Sequence, residues 1–217
     1  MLELGVKFLI SYFLGSVMGA LTIGKLFGNV DVRNQGSGNA GATNALRTQG
    51  FLFALAVAVI DIGKGIIAIV FVSKWHTALM VYEAQFNQEF IVLSCASAAV
   101  IGHVFPIWHQ FRGGKGAATL IGAYLIIAPV LVMVMLAAFI LILILFGFVG
   151  LATIISSWSV AIYFAFNMGS LSNPLVIFSS MMAVFLTYTH RSNIKRMMSG
   201  EEPKNKKVMI FSKIKKR

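Results

Sequence analysis

Charged residues are scarce in this chain: they make up 12% of its 217 residues, whereas 58% are hydrophobic. A soluble domain of this size carries about twice that charged fraction, so the composition excludes an ordinary soluble protein and predicts an integral membrane protein. Acidic residues are the rarest class, seven against 18 Lys and Arg. Much of the net charge of +11 lies in residues 191–217. Because basic residues flank membrane spans on the cytoplasmic side and contact anionic headgroups, we expect membrane lipids and no nucleic acid as partners.

The chain lacks the residues that several kinds of chemistry require. The single cysteine, Cys95, lies in an apolar run, which excludes an intrachain disulfide. There is no His/Cys/carboxylate cluster, so we expect neither a metal nor another cofactor. The chain also lacks a Walker A loop, a Gly-x-Ser-x-Gly nucleophile elbow and a His-x4-Asp acyltransferase motif.

Apolar stretches long enough to cross a bilayer as helices fill most of the chain. Residues 4–26, 51–72 and 90–108 each qualify, and residues 120–188 contain no Lys, Arg, Asp, Glu or His. Breakers divide this last stretch into four short spans: Pro129, Gly147 with Gly150, and the loop 167–174. The sequence therefore predicts an all-α integral membrane protein with seven transmembrane helices.

Three polar islands interrupt the apolar spans: the first island (residues 31–50), the second island (residues 102–119) and the third island (residues 189–202). With seven spans, all three fall on one side, together with the basic tail. The loop 74–88 falls on the other side with the N-terminus, where Glu3, Glu83 and Glu89 dilute the positive charge. The positive-inside rule then predicts an outer N-terminus and a cytoplasmic C-terminus, with one membrane domain over 1–202 and a basic cytoplasmic tail over 203–217.

The first island has the composition of an anion-binding loop. Glycines allow the backbone to aim successive N–H groups at one point, and such concave nests bind anions. Hydroxyl, amide and guanidinium groups add further donors. The candidate ligands are Gly36, Ser37, Gly38, Asn39, Thr43, Asn44 and Arg47, with Arg33 in support. This mix predicts phosphate or carboxylate binding.

The second and third islands add further cations. In the second, Lys115 stands between glycines and is the best candidate for a mobile point charge on an anion, with Gly114 beside it and Arg112 in support. His103 and His109, at a predicted membrane interface, are interpreted as structural. In the third island, helical spacing would place three residues on one face: His190, Asn193 and either Lys195 or Arg196, of which Arg196 is the candidate site residue.

Asp61 and Lys64 lie one helical turn apart inside a predicted span. Charges at that depth are costly and are usually paired or functional. We expect a neutralising i,i+3 ion pair that supports the site, with a direct catalytic role as the second interpretation.

These islands, in this order, resemble those of the bacterial acyl-phosphate:glycerol-3-phosphate acyltransferase (PlsY) family. The matching motifs are GSGNAGATN, GHVFPIWHQFRGGKGAAT and HRSNIKRMMSGEE. The resemblance implies an enzyme of the bacterial inner membrane, with its active site facing the cytoplasm. It would transfer a fatty acyl group from acyl phosphate to the sn-1 hydroxyl of glycerol 3-phosphate, the first step of phospholipid synthesis. The upstream enzyme that produces acyl phosphate would be a partner.

The resemblance also assigns residues. It implies phosphate-binding roles in the first loop for Ser37, Asn39, Thr43, Asn44 and Arg47. Lys115 matches the lysine of the second loop, and Glu201 is taken as the acidic member of the third. From the chemistry we expect direct transfer without an acyl-enzyme, with Ser37, Lys115, His190 and Asn193 as the catalytic group. The proton acceptor is either a substrate phosphate oxygen, which we favour, or His190.

Two other classes of protein would share some of these features. An organic-phosphate transporter would have similar spans and anion loops, but it would place charged or broken helices at the bilayer midplane. A non-catalytic binder of lipid headgroups would explain the basic tail but not three glycine-rich loops.

Overall fold

The computed structural model describes residues 2–75, 86–206 and 208–210, and within those residues its regular elements are helices. The chain divides into two compact units, Met1–Ile127 and Ala128–Arg217. The first unit contains α1 (Leu2–Gly15), α2 (Gly19–Leu26), α3 (Ala42–Thr48), α4 (Phe51–Ile67), α5 (Gln88–Val104) and α6 (Ala117–Ile127). The second unit contains α7 (Pro129–Phe146), α8 (Val149–Asn167), α9 (Pro174–Thr189) and α10 (Arg191–Met198).

The first apolar segment is interrupted rather than continuous. α1 and α2 are separated by three residues, and the pair is bent by 44°. The expectation of one uninterrupted helix over 4–26 therefore needs correction. No proline marks the break, which follows the adjacent Gly15 and Ser16.

Glycines allow two helix pairs of the first unit, α1 with α5 and α4 with α6, to pack closely. At four positions an added Cβ would collide with a backbone carbonyl of the partner helix. The glycine and the residue it faces are Gly15 with Ala99, Gly102 with Tyr12, Gly65 with Thr119, and Gly122 with Ile62. Small residues that bring backbones together are typical of helix packing in membranes. These contacts fix the ends of α5 and α6, between which the second island lies.

The breakers divide the charge-free stretch 120–188 into four helices, as predicted. Pro129 is the first residue of α7, a position that needs no backbone N–H. α7 ends at Gly147, whose φ of +78° favours glycine. Asn173 caps α9, because its side chain accepts from the N–H of Leu175 at 2.9 Å.

Four stretches are long and apolar enough to cross a membrane: Phe51–Val72, Gln88–His109, Pro129–Phe146 and Val149–Asn167. The bent pair α1 and α2 adds a fifth if it is counted as one span. α6 and α9 are apolar but shorter, with 11 and 16 residues. An all-α membrane fold is supported, whereas the count of seven spans stays a prediction. Glu83 and part of the predicted outer loop lie outside the described residues.

The described residues after 202 pack on the second unit. The N–H of Asn205 donates to the carbonyl of Gly147 at 2.8 Å, and the Lys204 ammonium lies 5.1 Å from the centroid of the Phe148 ring. A Cβ at Gly150 would also touch Asn193 of α10. The turn between α7 and α8 therefore lies at the same end of the second unit as α10, which is the arrangement that alternating spans require.

Candidate functional site

The first island begins with a short turn that the Asp31 side chain caps. Its Oδ1 accepts from the backbone N–H of Arg33 at 2.9 Å, and its Oδ2 pairs with the Arg33 guanidinium at 2.7 Å. The side-chain hydrogen bond lowers the pKa of Asp31 below its ordinary value and raises the pKa of Arg33. Both groups are therefore charged at neutral pH, and the direction of the guanidinium is fixed.

Asn44 holds the glycine-rich part of this island together. Its Oδ1 accepts from the N–H of Ser37 at 2.9 Å. Its Nδ2 donates to the carbonyls of Val32 at 2.9 Å and Gln35 at 3.0 Å. The residue is 1% exposed. Since both amide hydrogens are used inside the loop, this side chain shapes the loop, and its contact with phosphate stays a prediction.

The other predicted ligands of the first island lie nearer its surface. Gly36 and Gly38 adopt φ values of +58° and +71°, in the left-handed region where glycine is favoured. The exposed side chains are Ser37, Thr43 and Arg47, whereas Asn39 is partly buried. These groups are accessible to a ligand, and their contact with phosphate stays a prediction.

The second island folds back onto the end of α5. The N–H of Gly114 donates to the carbonyl of His103 at 3.1 Å, and that of Gly113 donates to the carbonyl of Val104 at 3.2 Å. Gly114 also lies directly against the His103 imidazole, so a Cβ at this position would collide with the ring. Lys115 follows and is partly buried. Gly113 and Gly114 are thus required by packing.

The first and second islands meet within the first unit. Nη1 of Arg33 donates to the backbone carbonyl of Arg112 at 3.3 Å. Beside this contact lies a cavity of about 320 Å³. It is lined by Asp31, Arg33, Asn34, Gly38, Gln110, Arg112 and Gly113. Two guanidinium groups against one carboxylate favour an anion, and the volume suits a small phosphorylated molecule. Two predicted catalytic residues of these islands, Ser37 and Lys115, do not line the cavity. Ser37 directly precedes the lining residue Gly38, and Lys115 lies two residues after the lining residue Gly113.

Three titratable side chains form a buried group in the first unit. Asp61 and Lys64 make the expected i,i+3 ion pair, with 3.1 Å between Oδ1 and Nζ. Nδ1 of His103 lies 3.5 Å from the same Oδ1. All three residues are at most 3% exposed and do not line the cavity, which favours the supporting role over direct catalysis. The contact with His103 was not predicted.

In the second unit, His190 lies at the junction of α9 and α10. It is 5% exposed, and its Nδ1 lies 2.7 Å from the carbonyl oxygen of Leu186. Because a carbonyl oxygen can only accept, Nδ1 carries the hydrogen of the neutral imidazole and Nε2 is the acceptor nitrogen. A backbone carbonyl therefore orients the ring.

Glu202 joins the two other predicted residues of the third island. Its Oε1 accepts from Nδ2 of Asn193 at 2.6 Å, and its Oε2 accepts from Nε of Arg196 at 2.7 Å. Glu202 is buried, whereas Glu201 is exposed and its carboxylate accepts a hydrogen bond from the Ser199 hydroxyl at 3.1 Å. Sequence reasoning chose Glu201 and missed Glu202, because two adjacent glutamates give the same signal.

A family model described as glycerol-3-phosphate acyltransferase matches residues 6–200 of the chain. The glycerol-3-phosphate acyltransferase of Maridesulfovibrio salexigens is 39% identical over 91% of this chain and 94% of its own length. That of Fusobacterium nucleatum is 36% identical over 91% of this chain and 95% of its own length. The family model thus covers the first two islands and the third as far as residue 200.

Two solved structures are similar to the whole fold. The crystal structure of PlsY (YgiH), an integral membrane glycerol 3-phosphate acyltransferase, in its glycerol 3-phosphate form has a TM-score of 0.78 and 28% identity. Its lysophosphatidic acid form has a TM-score of 0.76 and 27% identity, and each comparison covers 93% of this chain and 94% of the other. The chain therefore belongs to the glycerol-3-phosphate acyltransferase family of integral membrane proteins, the PlsY family.

Proposed function

We propose that this enzyme transfers a fatty acyl group from acyl phosphate directly to the sn-1 hydroxyl of glycerol 3-phosphate. The products are lysophosphatidic acid and inorganic phosphate. The observation that carries the proposal is the cationic cavity at which the first and second islands meet. Its two arginines suit a phosphate group, and both substrates carry one.

The chemistry requires little covalent assistance from the protein. The hydroxyl oxygen attacks the carbonyl carbon of the mixed anhydride, the bond from that carbon to the phosphate oxygen breaks, and the hydroxyl proton passes to a phosphate oxygen. Because phosphate is already a good leaving group, positioning and charge stabilisation supply most of the rate enhancement; proximity alone can lower a barrier by about 7–11 kcal/mol.

The basic groups of the islands stabilise the charge that develops. Lys115 and the Ser37 hydroxyl donate to the leaving phosphate and the carbonyl oxygen. The remaining donors of the first two islands bind the substrate phosphates: Gly36, Asn39, Thr43 and Arg47. Gly38 and Gly114, whose N–H groups donate to the carbonyls of Gln35 and His103, allow close approach to a phosphate rather than donating to it. Arg33 and Arg112, which line the cavity, assist them.

The third island orients the acceptor. Nε2 of His190 is the acceptor nitrogen of the imidazole and accepts a hydrogen bond from the second hydroxyl of glycerol 3-phosphate, the one that does not react. Asn193 and Arg196 hold the acceptor's phosphate, and Glu202 sets their direction through its two hydrogen bonds. One substrate of the reaction is delivered from the lipid phase and the other from water.

Both substrates must reach the islands from the cell interior. We therefore place the enzyme in the bacterial inner membrane as seven spans, with the N-terminus outside and the islands at the cytoplasmic surface. The enzyme that produces acyl phosphate would deliver its product at this surface.

Purified protein in detergent, supplied with acyl phosphate and glycerol 3-phosphate, tests the proposal. We expect equal amounts of phosphate and lysophosphatidic acid, and no product from acyl-CoA. Lys115→Ala should lower kcat by about 10²–10³-fold, the usual cost of removing a donor to developing charge. Lys74→Ala, at an exposed lysine outside the islands, is the matched control and should leave kcat unchanged.

Three results would contradict this account. Absence of phosphate release would favour a transporter, and a near-normal rate in Lys115→Ala would remove this lysine from the site. A covalent acyl adduct on Ser37, detected by intact-protein mass spectrometry with acyl phosphate alone, would exclude direct transfer.

A further inference from the structure

The break between α1 and α2 leaves backbone groups that need partners. In a continuous helix the N–H of Leu21 would donate to the carbonyl of Val17, but here it donates to the carbonyl of Met18 at 3.1 Å. The N–H of Gly19, the first residue of α2, likewise loses the partner that a continuous helix would provide, because α1 ends at Gly15. Unsatisfied backbone groups are strongly unfavourable in a bilayer, where no water replaces the lost partner.

Asp61 and Lys64 supply both missing partners. Nζ of Lys64 donates to the carbonyl of Val17 at 2.7 Å. Oδ1 of Asp61 accepts from the N–H of Gly19 at 3.2 Å. The signs are complementary to the helix dipoles, because the cation lies at the end of α1 and the anion lies at the start of α2. A pair that only neutralised itself would not need these two backbone contacts.

The same pair is linked to both islands of the first unit. α2 leads into the first island, and the N–H of Val30 returns to the carbonyl of Gly24 at 2.9 Å. On the other side, Asp61 lies 3.5 Å from His103, whose ring packs against Gly114 of the second island. The buried group of Asp61, Lys64 and His103 therefore contacts α2, which leads into the first island, and also contacts the second island. These two islands form the walls of the cavity.

We propose that Asp61 and Lys64 are positioning residues that cap the two sides of the break, set the direction of α2 and thereby hold the first island against the second. They do not contact substrate. The inference rests on the proposed function only for its kinetic readout, because the arrangement of the two islands is measurable without turnover.

Two double variants, both uncharged at positions 61 and 64, distinguish the effect of the backbone caps from the effect of charge balance. Asp61→Leu/Lys64→Met removes both charges and both caps, whereas Asp61→Asn/Lys64→Met is equally neutral but keeps an oxygen that accepts from Gly19. Spin labels at Asn34→Cys and Gln110→Cys, which are exposed residues on the two walls of the cavity, report the distance between the islands. The labelled proteins carry Cys95→Ala, and kinetics are measured on proteins without labels.

We expect the Leu/Met variant to show a broadened distance distribution and a kcat/KM for glycerol 3-phosphate lower by about 10²-fold, the cost of a misplacement of about 1 Å. The Asn/Met variant should show a narrower distribution and an activity about tenfold higher, the factor that one backbone hydrogen bond supplies. Lys7→Met is the matched control, because Lys7 is also a buried lysine of the first unit, paired with Glu3 and bonded to the Ser73 carbonyl. It should lower thermal stability without changing the distance or the KM.

Wild-type distances and activity in the Leu/Met variant, or identical behaviour of the two doubles, would overturn the proposal. If the Leu/Met variant does not fold, the Asn/Met variant decides: a distribution broader than wild type supports capping, and an unchanged one refutes it. Inactive wild-type protein would refute the proposed function, while the distances would still decide this inference.

Discussion

Adjacent glutamates at the end of the third island have different surroundings. Glu202 is buried and accepts hydrogen bonds from Asn193 and Arg196 through separate oxygens, whereas Glu201 is exposed. A buried carboxylate with two donors orders both of them, because neither donor can turn without leaving an unsatisfied oxygen. Asn193 and Arg196 therefore owe their direction to a residue that is not itself among the proposed ligands.

Replacing Glu202 should have a larger effect than replacing Glu201. In Glu202→Gln the new amide nitrogen faces a donor, either Asn193 or Arg196. We expect the free energy of unfolding to fall by about 1–3 kcal/mol, with a lower kcat/KM for glycerol 3-phosphate. Glu201→Gln should change stability by less than about 0.5 kcal/mol. Thermal unfolding and steady-state kinetics measure both, and equal effects of the two substitutions would show that the buried contacts are unimportant.

Residue types and local spacing predicted some of these contacts. The ion pair of Asp61 and Lys64 follows from i,i+3 spacing in an apolar helix, so it needs no tertiary information. The role of Asn44 could not be predicted, because an asparagine in a glycine-rich loop can face a ligand or its own backbone. The choice between the two carboxylates depends on how the chain returns after α10, which the sequence does not specify.

Breaks between helices differ in how well the sequence predicts them. Pro129 and Gly147 act through their own backbone preferences, and the helices divide where these residues predict. The break after Gly15 has a weaker marker, the adjacent Gly15 and Ser16, and side chains of α4 contact both of its sides. These contacts could not be predicted, because their partners are remote in the sequence and become neighbours only when α2 and α4 pack.

The contact between α5 and the second island should be sensitive to a single methyl group. Gly114→Ala places a Cβ against the His103 ring, so we expect a loss of both activity and stability. The combination with His103→Ala should be less harmful than the sum of the two single changes, by about 0.5–3 kcal/mol, because the neighbour that clashes is removed.

Gly63→Ala is the control for that experiment. Gly63 lies in α4, and a Cβ there would meet nothing within 4 Å. Alanine at this position should be neutral or stabilising by up to about 1 kcal/mol. Additive effects of Gly114→Ala and His103→Ala would contradict the proposed contact.

At the scale of the whole molecule, the account requires the three islands to lie on one side of the membrane. Composition and charge bias predicted a helical membrane protein from sequence alone, and the family model covers all but the ends of the chain. The number of spans is harder to predict, because α6 and α9 are short and α1 is separate from α2. Orientation depends on the parity of that number, so it needs a direct measurement.

Cysteine accessibility in intact cells and in inverted membrane vesicles makes that measurement. In a Cys95→Ala background, single cysteines replace exposed residues of the three islands, Ser37, Arg112 and Arg191, and Gln88 near the predicted outer loop. We predict that the three island positions react with a membrane-impermeant reagent only in inverted vesicles, and that the Gln88 position reacts only in intact cells. Reaction of any island position from outside would contradict a single cytoplasmic site.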